Sequence, residues 1–222
     1  MRREPAGSCR FSNAEIEMRF SGLARAGLLV MMVCVAGLQA SVAVARPNAQ
    51  AHATGKRQPE IYLLRGFGDI FSTGLDEMGE RLAAQGIESH VDSHTASGVV
   101  ARTIIADAQR GRLGPVILIG HSLGANGAIR IAEQLQKAGI KVDLLVSLAA
   151  TGPHPVPANV RRAVNYYFKT HGWGEPLVAG PGFHGRLLNK DYSDMAEVGH
   201  FNIDKQKAVQ NEILGLVRGA LR

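Results

Sequence analysis

The sequence predicts an α/β fold, a mostly parallel sheet with helices on both faces. Two observations lead there. Short apolar runs of strand length alternate along the chain with stretches whose apolar residues recur at helical spacing. One run, Val116 to Ile119, is uninterrupted and β-branched, as a parallel strand buried on both faces should be.

Taken in order, Ile61 to Leu64 is the first strand, followed by the loop Arg65-Gly66-Phe67-Gly68-Asp69. Leu75, Met78, Leu82 and Ala83 keep helical spacing, and Gly86 ends that helix. Ile87 to Val91 is a second strand. Residues 99 to 110 form a helix with Val100, Ile104, Ile105 and Ala108 on one side. After the strand Val116 to Ile119, a helix runs from about Ala125 to Lys137 and closes at Gly139. Leu144 to Leu148 is a fourth strand, Arg186 to Asn189 a candidate fifth, and Lys205 to Leu221 an amphipathic helix. Residues 151–185 break the rhythm. They are rich in Pro, Gly and aromatics, hold one predicted helix (158–170), and read as an insertion that walls an active site.

The domain spans residues 60–222 and is preceded by two segments of different character. Residues 1–45 carry Arg2, Arg3, Arg10, Arg19 and Arg25, then the apolar run Ala26 to Leu38, then Ala43-Val44-Ala45. Basic start, apolar middle and A-x-A end are the layout of a secretory signal peptide, with Met18 as an alternative start. The uncharged stretch from Ala26 to Ala45 is also long enough to serve as an uncleaved membrane anchor. Either way the domain is exported, periplasmic or secreted in one case and facing outward from the inner membrane in the other. Residues 46–59 read as a linker. Cys9 and Cys34 both lie in the leader, so the mature domain has no disulfide framework and no thiol chemistry. The net charge of +6 is scattered without an aromatic-interleaved basic stripe, which argues against a nucleic-acid partner. A membrane is a partner only if the leader stays attached.

Gly120-His121-Ser122-Leu123-Gly124 matches G-x-S-x-G and lies directly between a buried strand and a helix. That is the setting of a nucleophile elbow, with Ser122 as the attacking residue. The glycines leave room where strand and helix pass too close for a Cβ. A serine hydroxyl needs a base. His200, late in the chain after Gly199, is the candidate. The orienting acid is expected between the two. Asp143 precedes its strand and falls at the wrong sheet edge. Asp191 follows the last strand and ranks first, with Asp194 second and Glu175 in the insertion. The backbone N–H groups of Leu123 and Phe67 are the expected oxyanion donors. His90, Asp92 and His94 share one face of an extended segment, but a solvated strand end is the simpler reading, so no metal and no cofactor is called for.

With these residues in place, the chain resembles a small α/β-hydrolase of the lipase and thioesterase-like group. The resemblance is carried by Arg65-Gly-Phe-Gly-Asp-Ile-Phe-Ser, Gly120-His-Ser-Leu-Gly-Ala-Asn, Val142-Asp-Leu-Leu-Val, Pro157-Ala-Asn-Val and Gly199-His-Phe-Asn-Ile-Asp, over roughly residues 60–222. It implies a three-layer α/β-hydrolase fold and cleavage of an ester or thioester, a small acyl substrate, through an acyl-serine. There is one departure. Relatives often carry an Asp at the end of the strand after the elbow helix, where this chain reads Leu148-Ala149-Ala150-Thr151. Either the acid has moved to Asp191 or Asp194, or the fold serves binding with impaired catalysis. The aromatics Tyr166, Tyr167, Phe168, Trp173 and Phe183 are candidates for an apolar pocket wall or for a small core of the insertion.

Overall fold

The computed structural model describes residues 57–170 and 173–222. The leader, the linker up to residue 56 and His171 lie outside the described residues. Six strands form one parallel sheet: β1 (Gln58–Arg65), β2 (His90–Ser93), β3 (Leu113–His121), β4 (Leu144–Leu148), β5 (Arg162–Tyr167) and β6 (Arg186–Asp191), in the order β2-β1-β3-β4-β5-β6. Among the described residues four α-helices cover it: α1 (Thr73–Ala83), α2 (Ser97–Gln109), α3 (Leu123–Lys137) and α4 (Lys207–Ala220).

Period-two alternation sorts the strand residues between two cores. Ile61, Leu63, Ile117, Ile119 and Val146 face α1 and α4, packing on Leu75, Met78, Leu82, Val209 and Ile213. Tyr62, Leu64, Val116, Leu118 and Leu145 face α2 and α3, packing on Val100, Ile104, Ala128 and Ile131. The three layers predicted from sequence follow. Both faces of β3 are buried, which is why its sequence is a continuous apolar run rather than an alternation.

The structure differs from the sequence reading in three places. The first strand starts at Gln58, so the last residues assigned to the linker belong to the sheet. The second strand pairs only from His90, while Ile87 packs against the core before pairing begins. The largest difference is 158–170, predicted helical and found to contain strand β5. Apolar residues at 163, 164, 166, 167 and 168 satisfy helical spacing and a doubly buried strand equally well. Tertiary pairing on both sides, with β4 and β6, decides for the strand. Residues 151–185 therefore hold an interior strand of the sheet and are not a simple insertion. The connections from β4 to β5 and from β5 to β6 carry no helix among the described residues.

Candidate active site

Chain order and sheet order part company between β1 and β3. The chain leaves β1 toward β2 on one side and leaves β3 toward β4 on the other. A crevice opens at the carboxyl ends of two strands whose connections diverge, and ligands of open parallel sheets bind there. The loop 66–72 follows β1 at this point, and Ser122 follows β3.

Ser122 has φ 58° and ψ −122°, a left-handed geometry that strains any residue with a Cβ. Two close approaches impose it. A Cβ on Gly120 would stand 2.3 Å from the Gly124 carbonyl oxygen, and a Cβ on Gly124 would stand 1.9 Å from the Leu64 carbonyl oxygen on β1. Gly124 is thus pressed against the neighbouring strand rather than its own. The turn thrusts Ser122 above the sheet with the first residues of α3 beneath it. Leu123 opens α3, so its N–H has no intrahelical acceptor and points into the crevice end of the helix. Gly66 packs so tightly on the elbow that a Cβ there would meet Ser122 Cβ at 3.0 Å, which brings the Phe67 backbone to the serine's side.

His200 stands 8% exposed in the loop before α4, with Nε2 3.0 Å from Ser122 Oγ. Its Nδ1 lies 3.1 Å from the carbonyl oxygen of Trp173. A carbonyl only accepts, so this contact requires hydrogen on Nδ1 and leaves Nε2 as the acceptor for the serine hydroxyl. The imidazole is thereby held in the tautomer that proton abstraction from Ser122 needs. Burial pushes the His200 pKa below the ordinary histidine value, partly offset by the Trp173 bond. Among the described residues no carboxylate hydrogen-bonds to the His200 ring to support the imidazolium that would form.

The structure does not bring Asp191 to His200. Asp191 ends β6, three strand positions from β3, which is roughly 14 Å along the sheet. Its Oδ1 accepts from the Ser193 N–H at 3.0 Å, the Ser193 hydroxyl at 2.6 Å and the Lys169 N–H at 3.3 Å. These bonds from Ser193 hold its carboxyl below the usual carboxylate range. The spacing Asp-x-Ser is the sequence sign of such a local turn. Asp194 is exposed in the same loop. Glu175 Oε1 accepts from Gly152 N–H at 2.9 Å.

The place of the absent acid is filled. Ala149, with φ 50°, follows β4, and a Cβ on Gly174 would lie 3.0 Å from the Ala149 Cα. The loop 173–175 thus closes over the alanine and presents the Trp173 carbonyl to the base. The loop is tied down by Glu175 N–H to the Ala150 carbonyl (2.8 Å) and Phe168 N–H to the Gly174 carbonyl (3.4 Å). Asn165 on β5 donates to the Glu175 carbonyl (2.9 Å). Asn189 on β6 exchanges two bonds of 2.9 Å with the Leu177 backbone. Backbone acceptors leave no mark in a sequence, so Trp173 was legible only as an aromatic.

A cleft of about 620 Å³ opens above Ser122 and His200. Phe67, Phe71, Leu123, Trp173 and Phe201 line it, and among the described residues Glu175 is the one carboxylate on its wall. Trp173 lies edge-on to His200, and Phe201 contacts Phe71, Trp173 and His200 rings at 5.1–5.6 Å. Of the aromatics singled out in the sequence, Trp173 reaches the cleft, whereas Tyr166 and Phe168 belong to the main core. His90 stacks on Tyr62 and His94 Nδ1 lies 3.2 Å from the Gly66 carbonyl. Among the described residues no group of three or more His, Cys, Asp or Glu side chains converges as a metal site.

The family profile described as Thioesterase domain matches residues 78–165, a span that holds the elbow strand, Ser122 and α3. The profile covers less than half of the chain; what the structure itself establishes is a six-stranded parallel sheet with helices on both faces and a strained elbow after β3. No curated protein matches the chain. Among solved structures, the chain is similar to the RedJ thioesterase of the prodiginine biosynthetic pathway in Streptomyces coelicolor, with 14% identity and a TM-score of 0.48 over 82% of this chain and 100% of that one. It is similar to the type II thioesterase BorB of the borrelidin biosynthetic cluster, with 15% identity and a TM-score of 0.47 over 74% and 93%. An alpha/beta-superfamily protein from Xanthomonas campestris pv. campestris shows 20% identity and a TM-score of 0.43 over 73% and 99%. The profile match supports a hydrolase of the thioester or ester type.

Proposed function

We propose that this protein is an exported serine hydrolase that cleaves an ester or thioester of an apolar acyl group. The observation that carries the reading is Ser122 Oγ held 3.0 Å from His200 Nε2 at the apex of a strained elbow, on the floor of an apolar cleft. In this mechanism His200 takes the serine proton as Oγ attacks the acyl carbonyl. The N–H groups of Leu123 and Phe67 hold the oxyanion. His200 then protonates the leaving alcohol or thiol, and water releases the acyl group by the same path in reverse. The Trp173 carbonyl takes the part expected of Asp191. It fixes the tautomer but lends no charge. Among the described residues the cleft wall carries aromatic rings and no Lys or Arg, which suits an uncharged acyl chain.

Export rests on the basic, apolar and A-x-A layout of residues 1–45. Among the described residues no helix is long and apolar enough to cross a membrane. Mass spectrometry of the mature N-terminus tests this part, and an intact Met1 or Met18 refutes cleavage.

A panel of p-nitrophenyl esters and acyl thioesters of graded chain length tests the catalytic part. Turnover that rises with acyl length and vanishes in Ser122→Ala supports it. The missing carboxylate on His200 favours one second reading, an apolar-ligand binding protein on the same fold. Saturable binding of those acyl compounds by folded wild type without turnover would establish that reading instead.

A further inference from the structure

Two buried polar side chains at the site take no part in the chemistry above. His121 precedes the nucleophile, and Ser72 stands just before α1 with a side chain that makes no capping bond to the helix; each is 1% exposed. Ser72 Oγ accepts the Gly66 N–H at 2.9 Å and lies 2.8 Å from His121 Nδ1. His121 Nε2 lies 2.7 Å from the carbonyl oxygen of His200.

The proton positions follow from the partners. The His200 carbonyl only accepts, so His121 Nε2 carries hydrogen. A neutral ring then leaves Nδ1 as an acceptor, and the Ser72 hydroxyl donates to it while a Ser72 lone pair takes the Gly66 N–H. The ring is neutral because burial pushes its pKa down to about 4, with His200 and Lys205 adding to the effect and the His200 carbonyl opposing it. Every donor finds one acceptor, in a single direction from Gly66 to His200. The two ends are the two loops that the reaction must hold against Ser122. One is the loop that carries the Phe67 donor, and the other carries the base.

We propose that His121 and Ser72 are positioning residues, a buried clamp that holds the oxyanion loop at Gly66 and the base loop at His200 in register about the nucleophile. The role rests on the serine-hydrolase reading. His121 is fused to the nucleophile through one peptide bond, so the clamp references both loops to the serine itself. A histidine serves where an aliphatic side chain would not, because it spans the gap with an acceptor at one end and a donor at the other. The Ser72 hydroxyl accepts from the Gly66 N–H and donates to His121 Nδ1, relaying the bond without changing its direction.

Two measurements test the clamp. In wild type, nitrogen-15 NMR of the histidine rings is predicted to show His121 as the neutral Nε2–H tautomer, unchanged from about pH 5.5 to 8. A ring protonated at Nδ1, or one that titrates as an ordinary histidine in that range, overturns the proposal without any variant. The second measurement is kcat per serine titrated by a fluorophosphonate, in Ser72→Ala and His121→Gln. Counting titrated serines removes the effect of misfolded protein. Both variants are predicted to lose about tenfold or more in kcat per titrated serine with KM within about twofold, and His121→Gln, which keeps a donor toward His200, to lose less than His121→Leu. Unchanged kcat per titrated serine in all three contradicts the clamp alone. A wild type that takes no fluorophosphonate overturns the serine-hydrolase reading, and the positioning role with it.

Discussion

The base at this site depends on which atom faces His200 Nδ1. The Trp173 carbonyl supplies geometry and withholds charge, and burial lowers the His200 pKa further. Neutral imidazole is the working form of the base. A lowered pKa keeps it neutral further into acid, so the acid limb of kcat/KM is predicted to lie below the ordinary histidine value of about 6.5. An acid limb at or above neutrality would instead signal a carboxylate on Nδ1. The same geometry predicts that Asp191→Asn keeps turnover within about threefold of wild type, whereas a true triad acid costs orders of magnitude. Steady-state kinetics on one good ester decides between them. Ser122 and His200 were legible because nucleophile and base must be particular side chains. The Nδ1 acceptor was not, since any residue supplies a carbonyl. A carboxylate two residues before a serine, as at Asp191, reads the same whether it orients a base or caps its own turn.

At the scale of elements, the elbow is decided by backbone crowding. Gly124 meets the Leu64 carbonyl of β1, a backbone contact that cannot move aside without parting two strands. Gly124→Ala is predicted to be among the most destabilising single substitutions in the domain, by about 3 kcal/mol or more, measured by denaturant unfolding. The Trp173 loop depends on side-chain amides from two strands. Asn189→Ala removes the paired bonds to Leu177 and is predicted to lower kcat by roughly tenfold with a smaller change in KM, because the Trp173 carbonyl loses its support. The strand β3 and helix α3 were readable from sequence because a continuous β-branched run and a helical stripe leave little ambiguity. Strand β5 was misread because burial on both faces erases alternation, and Ala163, Val164, Tyr166 and Tyr167 fit a helix as well as a strand.

Across the whole domain, the sheet order places the switch between β1 and β3, and the site forms where the loops after these strands diverge. That much follows from alternation and the elbow together. The cleft wall draws on residues 67 to 201, far apart in sequence, so its shape was not readable beforehand. Burying the neutral His121 has a cost that the whole fold registers. Its pKa is about 4 when folded and about 6.5 when unfolded. Above about pH 6.5 both states are neutral there and nothing is lost. Below it the unfolded chain takes up a proton that the folded one refuses, so stability falls between about pH 6.5 and 4, by up to about 3 kcal/mol from this group. Denaturant midpoints followed across that range are predicted to slope downward with acid in wild type, and to slope less in His121→Gln.

Turnover at this site depends on Ser122 being a nucleophile activated by His200. Incubation of the folded protein with a fluorophosphonate, followed by peptide mass spectrometry, tests this most directly. A single adduct on Ser122, lost in Ser122→Ala and strongly slowed in His200→Ala, is predicted. An unlabelled wild type, or labelling at the same rate without His200, would contradict it.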